Sequence, residues 1–268
     1  MTTAFDLSNK TALVTGGGGV LGGAMADALA AAGARIVVAG RRQEPLQQAV
    51  ARIEKNGGRA AYVQADTTDP ESFDRALAEA GDVHILLNAA GGTDPRALTS
   101  PTRSIFELDM AAMRSVMDQN WMGTVAPCIS VCRQYVARGE GVIINIASMS
   151  SYKPVTRNVA YSSGKSAAMN FTQWLAVHMA QTYSPNIRVN AIAPGFFLAD
   201  QNRALLTDPA TGELNERAKT MIRGTPMGRL GQPNDLGGVA VFLASAASAF
   251  ITGVTIPVDG GFQAFGGV

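Results

Sequence analysis

Tyr161 and Lys165 stand four residues apart in the stretch AYSSGK (160–165), with two serines and a glycine between them. On a helix that spacing puts both side chains on one face, roughly 5–6 Å apart at Cβ. A free phenol titrates at about 10, too high to take up protons at neutral pH. A neighbouring ammonium favours the phenolate. The pair therefore reads as a proton-transfer group, with Lys165 expected to draw the titration of Tyr161 down toward its working pH. Alone, the same two residues would better suit a solvated helix face, so other chemistry has to accompany them. Ser148 closes the β-branched run VIINIAS (142–148), where its hydroxyl could bind the same substrate oxygen. Asn120 falls at an Asn-Trp junction between two helical stretches, where its side-chain amide is expected to hold a water in a proton relay.

A second constellation is the glycine run TGGGGVLGG (15–23). It follows the apolar run TALVT (11–15) and opens an Ala-rich helical stretch, so it joins a strand to a helix. Glycines there allow a tight turn and a close approach of backbone to a pyrophosphate. The helix N-terminus adds N–H donors and a positive dipole end. The placement points to a dinucleotide, with Gly16, Gly18, Gly19 and Leu21 as contacts. The second strand ends in AGRR, with Gly40, Arg41 and Arg42 and no carboxylate. An acidic residue there would accept from the ribose hydroxyls of NAD, whereas a guanidinium matches the oxygens of a 2′-phosphate. Arg41 thus favours NADP over NAD.

These groups need a scaffold. Short β-branched runs at 11–15, 34–40, 59–66, 83–91, 142–148, 186–195 and 253–261 alternate with helical stretches. Later helices are expected near 106–118, 121–138, 159–182 and 234–245. Such alternation implies a parallel sheet with helices on both faces. The stretch 196–226, with its turn-rich LLTDPATGEL, reads as an irregular insertion and a substrate lid after a strand end.

The chain has 268 residues, 47% hydrophobic and 16% charged, with a net charge of +1. That composition suits one large α/β domain and carries no basic stripe for a phosphate backbone. Cys128 and Cys132 lie four apart on a helical stretch, where a disulfide is disfavoured; a reduced, cytoplasmic setting fits. His84 and His178 lack zinc-site spacing and read as packing or surface residues, so no metal is expected. No run of about 18 apolar residues occurs.

The whole chain resembles a short-chain dehydrogenase/reductase. The matches, in order, are TGxxxxxG at 15–22, NAAG at 88–91, Asn120, Ser148, YxxxK at 161–165, RVNAIAPG at 188–195 and TGVTIPVDGG at 252–261. The resemblance implies a single Rossmann-type domain over 1–268, doubly wound on a parallel seven-stranded sheet of order 3-2-1-4-5-6-7. It implies a catalytic set of Asn120, Ser148, Tyr161 and Lys165, and commonly a homotetramer. It further implies that Asp66 meets the adenine, that Asn88, Ala90 and Gly91 line the cofactor, and that Lys165 bonds the nicotinamide ribose.

Two positions depart from the family pattern. Val20 stands where glycine is usual, and because valine resists positive φ the loop is expected to follow a different path. Ala199 replaces a threonine that often bonds the carboxamide, which leaves that anchoring to backbone near Pro194, Gly195 and Phe197. The segments TGGGGVLGGAMA, NFTQWLAV (170–177), APGFF, QNRALL (201–206), GTPMGRLG (224–231) and IPVDGGFQAFGGV are similar to the D-mannonate oxidoreductase, or fructuronate reductase, branch. A sugar-acid substrate would need a cation. Arg203 is the leading candidate among Arg203, Arg223, Lys153 and Arg157, and Met149, next to Ser148, is a further candidate for substrate contact. Trp121, Trp174 and Met227 read as packing residues. A different carbonyl substrate (sugar, polyol or 3-oxoacyl thioester) and a non-catalytic cofactor sensor are the alternatives.

Overall fold

The computed structural model describes residues 4–198, 206–208 and 211–267. Seven parallel strands form one sheet: β1 (Thr11–Thr15), β2 (Arg35–Gly40), β3 (Arg59–Gln64), β4 (Ile85–Asn88), β5 (Gly141–Ile146), β6 (Ile187–Pro194) and β7 (Thr255–Val258), in the order 3-2-1-4-5-6-7. The helices are α1 (Val20–Ala31), α2 (Gln43–Lys55), α3 (Pro70–Ala80), α4 (Met110–Asn120), α5 (Met122–Arg138), α6 (Val159–Thr182), α7 (Glu216–Arg223) and α8 (Gly237–Ala244). Both the sheet order and the helices on two faces match the expected architecture.

Side-chain alternation along each strand builds two cores. Ala12, Val14, Ile36, Val38, Ile85, Leu87, Ile144 and Ile146 face α1, α2 and α8. Their neighbours Leu13, Val37, Leu86 and Ile143 face α3, α5 and α6. Strands buried on both faces read as near-continuous apolar runs, which is why they were legible in the sequence. Local chemistry sets the helix starts. Asp69 accepts from the N–H groups of Glu71 and Ser72 at 3.0 and 3.3 Å, with Pro70 in the first turn of α3. Asp109 does the same for α4, accepting from Ala111 and Ala112 at 2.8 and 3.2 Å. Gly139, at φ 78°, ends α5 in the left-handed region.

The stretch expected to be irregular contains a helix. Asn215 caps α7 by accepting from Ala218 N–H at 3.1 Å. Thr207 bridges Leu214, and Leu206, Ala218 and Leu230 form a small apolar cluster with Phe196, Leu198, Leu214, Met221 and Ile222. The turn residues between Leu206 and Asn215 hid the short amphipathic repeat behind them. Among the described residues, no helix is long and apolar enough to cross a membrane.

The start of β5 is the tightest point of the lower core. A Cβ added at Gly141 would lie 2.2 Å from two ring carbons of Tyr135. That ring is fully buried, and its hydroxyl donates to Val142 O at 3.2 Å. Gly141→Ala should therefore cost about 1–3 kcal/mol, or a fall in Tm of about 2–4 °C per kcal/mol. Thermal unfolding checks this, and an unchanged Tm would mean that the Tyr135 ring has room to yield.

Candidate active site

The loops after β1, β4 and β5 meet the N-terminal half of α6 at the carboxyl ends of the strands, where open α/β sheets take their ligands. Gly16 adopts φ +66°, and a Cβ on it would sit 2.8 Å from the backbone of Ala89 and Ala90. Only a glycine lets the β1 and β4 loops touch there. A Cβ on Gly22 would stand 2.5 Å from Gly16 O, so the first turn of α1 lies directly on the loop. Val20 is the first residue of α1, and among the described residues positive φ outside glycine occurs only at Asn9 and Arg157. The expected conflict between valine and the loop does not arise, because the position needs no left-handed backbone. Gly19 is the N-cap of α1, with no side-chain cap and no acidic residue in the first turn. Its N-terminal donors and the shallow glycine surface fit a pyrophosphate.

Around this cradle, Asp66 accepts from Thr68 N–H and Oγ1 at 2.9 and 2.7 Å. Burial pushes its carboxyl pKa up, but the bonds from Thr68 and the charge of Arg41 outweigh that and hold it below the usual carboxylate range. Arg41 is exposed at the end of β2, beside Asp66 and with no carboxylate on its own strand end. Ala90 N–H donates to Thr15 Oγ1 at 3.2 Å. Pro194 ends β6, and Gly195 passes so close to Asp259 that a Cβ would lie 2.6 Å from its Cα.

Tyr161 and Lys165 lie on α6, with the lysine Nζ 5.8 Å from the phenol ring centroid. Lys165 is 4% exposed and its Nζ donates to Ile146 O at 2.6 Å. A Cβ on Gly91 would lie 2.8 Å from Asn120 Oδ1 and 3.3 Å from Lys165 Nζ, so Gly91, Asn120 and Lys165 converge on one point. Ser148 ends the β5 loop in extended backbone, its Oγ accepting from Ser150 N–H at 3.1 Å, and it shares a side-chain hydrogen bond with Tyr161.

The electrostatics differ from the sequence expectation. Tyr161 titrates above its ordinary value, because burial disfavours the phenolate by more than the bond with Ser148 favours it. The lysine does not lower it: its ammonium points at the Ile146 carbonyl, and burial pushes its own pKa down from 10.5 to about 8. Desolvation thus works on both partners, favouring the neutral form of each.

Several other expected roles change. Asn120 is fully buried, and its amide is spent on protein: Nδ2 donates to Gly92 O and Val116 O at 2.7 and 2.8 Å, and Oδ1 accepts from Gly92 N–H at 3.4 Å. It ties the β4 loop to α4 instead of presenting an amide to water. The side chain of Asn88 points into the interior, with Nδ2 donating to Asn145 Oδ1 at 3.0 Å and to Cys128 Sγ at 3.2 Å. The Phe197 ring belongs to the core and stacks where a Cβ on Gly231 would be 2.7 Å away, so only backbone there can meet a ligand. Met149 is 2% exposed, buried in the turn that follows β5. Lys153 donates to Phe265 O at 2.9 Å, and Arg223 binds Thr220 Oγ1 at 2.8 Å on the exposed face of α7. Arg157 takes φ 75° and offers its carbonyl to Thr99 N–H at 3.1 Å. Arg203 and Ala199 lie outside the described residues.

His84 accepts from Thr11 N–H at 3.2 Å, and His178 stacks on Trp174 at 4.9 Å, both packing roles. Sequence reasoning missed Thr15, Asn145 and Thr172, whose buried side chains bond across the elements carrying the site. Their signal was a polar residue inside an apolar strand or on the inner face of a helix. A separate cavity of about 460 Å³ lies between the later turns of α1 and the end of α2, lined by small residues such as Ala28, Gly57 and Gly237, away from this chemistry.

The Lys165 shift has a measurable consequence. Its folded pKa of about 8 lies below the unfolded 10.5. Below pH 8 both states are protonated and folding carries the whole cost of burying the ammonium. Above pH 8 the folded state sheds the proton while the unfolded state keeps it, so the cost relaxes. Relative to Lys165→Met, the wild type should gain about 2 kcal/mol of stability between pH 7 and pH 9.5. Urea unfolding of both proteins at the two pH values measures this, and a pH-independent difference would contradict the assignment.

Comparison with known proteins agrees with this geometry. A family model described as short chain dehydrogenase matches residues 10–210. An uncharacterised oxidoreductase, UxuB, of Bacillus subtilis (strain 168) is 41% identical over 276 residues, spanning 98% of each chain. Among solved structures, a candidate D-mannonate oxidoreductase from Haemophilus influenza with bound NAD superposes with a TM-score of 0.92 at 36% identity, covering 99% of both chains. A gluconate 5-dehydrogenase from Burkholderia cenocepacia, in complex with NADP and tartrate, gives a TM-score of 0.84 at 32% identity, covering 98% of both. Fold, site and relatives together make this chain a member of the short-chain dehydrogenase/reductase family, an oxidoreductase that uses NAD or NADP.

Proposed function

We propose that the protein interconverts a secondary alcohol and a ketone on a sugar acid of the D-mannonate/D-fructuronate kind, with NADP favoured over NAD. The convergence of Tyr161, Ser148 and Lys165 with the Gly91–Asn120 contact beside the glycine loop carries this reading. The cofactor would rest on Gly16, Gly18, Gly19 and Leu21, with Asp66 toward the adenine, Ala90 and Gly91 along its middle, and the backbone of Pro194 and Gly195 near the nicotinamide end. When bound, the nicotinamide supplies or accepts the hydride. Tyr161 holds the proton at the substrate oxygen; its raised pKa keeps the phenol protonated at neutral pH, ready to give that proton to a carbonyl oxygen during reduction. Ser148 steadies the same oxygen. Lys165, its pKa brought down to about 8 by burial, would bond the nicotinamide ribose. Asn120 holds the Gly92 loop against α4 and thereby keeps the floor of the site in place.

The sugar-acid assignment draws on the similarity to a candidate D-mannonate oxidoreductase and to a gluconate 5-dehydrogenase. The segment 196–226 is read as the lid, its described part tied to Phe262 through the edge-on contact with Phe196 at 5.1 Å. Arg203 within it is the proposed partner of the carboxylate. The working form is read as a cytoplasmic homotetramer. Ile129 and Val136 on α5, and Trp174 and Val177 on α6, are exposed apolar side chains of the kind that association would cover.

A panel of hexuronates, aldonates, polyols and 3-oxoacyl thioesters, followed through NAD(P)H absorbance, tests the substrate class. Sugar acids should give the highest kcat/KM, and Tyr161→Phe should lose at least about a thousandfold in kcat while still binding NADPH. Near-normal turnover in that variant would remove Tyr161 from the chemistry, and cofactor binding without turnover of any panel member would favour a sensor. Arg41→Ala should raise KM for NADPH by about tenfold or more and leave KM for NADH little changed, as expected for one lost guanidinium–phosphate contact. Equal use of both cofactors by the wild type would refute the preference.

A further inference from the structure

Thr15, Asn88 and Asn145 occupy one register row across β1, β4 and β5, since Thr15 pairs with Asn88 and Asn88 with Asn145. Each is no more than 1% exposed. Strand alternation turns them to the face where Leu13, Leu86 and Ile143, two residues earlier on each strand, join the apolar cluster of α5 and α6. A polar row in such surroundings is costly unless its groups are bonded. These are bonded in sequence. Ala90 N–H donates to Thr15 Oγ1, Thr15 Oγ1 to Asn88 Oδ1 at 3.5 Å, Asn88 Nδ2 to Asn145 Oδ1 at 3.0 Å, Asn145 Nδ2 to Thr172 Oγ1 at 2.9 Å, and Thr172 Oγ1 to Ala168 O at 2.8 Å. From Thr15 through Asn88 and Asn145 each side-chain donor points on toward α6, the helix that carries Tyr161 and Lys165.

Helix α6 is consequently held to β5 at two points. Lys165 Nζ binds Ile146 O, and Thr172 Oγ1 accepts from the adjacent Asn145. Residues 165 and 172 are seven apart, two turns along one face, and Tyr161, four before Lys165, shares that face. Leu175, Ala176 and Met179 seat the helix on the apolar core, where non-directional packing fixes the roll less sharply than hydrogen bonds do. Two tethers on the same face fix the roll, and reacting groups must be held within about 10–20° of their productive orientation.

We propose that Asn145 and Thr172 are positioning residues for the reaction: they set the roll of α6 and thereby aim Tyr161 at the substrate oxygen and Lys165 at the cofactor. This rests on the reading of Tyr161 as the proton-transfer group. Neither residue touches the reacting atoms, and Thr172 stands three turns along α6 from Tyr161.

Thr172→Val keeps the branched shape and deletes the acceptor for Asn145 Nδ2, whereas Thr172→Ser keeps the hydroxyl. Both variants and the wild type would be compared in NADP-linked oxidation of D-mannonate, in NADPH binding by fluorescence titration and in thermal unfolding. Thr172→Val should remain folded at 25 °C, with kcat reduced by about tenfold or more and KM for D-mannonate within about twofold, because aim rather than ground-state binding is lost. Its NADPH affinity should fall several-fold as the Lys165 ammonium shifts. Thr172→Ser should restore kcat and NADPH affinity to near the wild-type values. Wild-type kcat and NADPH affinity in Thr172→Val would overturn the proposal, as would equal impairment of Thr172→Ser. A wild type that binds NADPH but oxidises no D-mannonate would count against the substrate assignment, and the NADPH titration of the two variants would then decide the positioning role by itself.

Discussion

Lys165 donates to the Ile146 carbonyl at 2.6 Å from a position only 4% exposed, and burial has already brought its pKa down to about 8. A buried ammonium with one carbonyl for a partner is an expensive group to keep. The fold keeps it by surrounding it with groups that cannot move away: the β5 end below, Gly91 beside it and the tied amide of Asn120 beyond. The same dry environment that taxes the lysine raises the titration of Tyr161. Both perturbations come from one cause, the closure of α6 over the carboxyl ends of the central strands. Strongly perturbed groups gathered where loops converge are what a proton-transfer site requires.

The surrounding sequence serves that closure. At Gly16 the backbone of the β4 loop, and at Gly91 the Asn120 and Lys165 side chains, approach too closely for a further side chain. The first permits the β1 and β4 loops to touch beneath a phosphate-sized surface. The second lets Asn120 and Lys165 share a corner. Asn120 spends its whole amide on Gly92 and Val116, so the break between α4 and α5 anchors the loop after β4. Stability and function therefore draw on the same hydrogen bonds, and the polar row through Asn88 and Asn145 extends that economy into the sheet.

Much of the architecture was legible in the chain. The strand positions followed from apolar β-branched runs, and the boundaries of α6, Val159–Thr182, coincide with those expected. The glycine loop, the Tyr161–Lys165 spacing and Ser148 led directly to the elements that converge. What misled was of two kinds. Helix α7 hid in a turn-rich stretch because its eight residues are too few to display a clear period. The side-chain partners of Asn88 and Asn120 were not legible, since sequence distance says nothing about which way a side chain turns.

By itself the sequence determined the periodicities, the capping residues and the i, i+4 pairing of phenol and ammonium, because these depend on neighbours within one or two helical turns. Tertiary structure alone decided who partners whom. The ammonium found the Ile146 carbonyl nineteen residues away instead of the phenol four residues away. Asn120 reached Gly92 across twenty-eight. Desolvation is a property of everything packed around a group, so the direction in which Tyr161 titrates emerged only when strands and helices distant in the chain had closed around it.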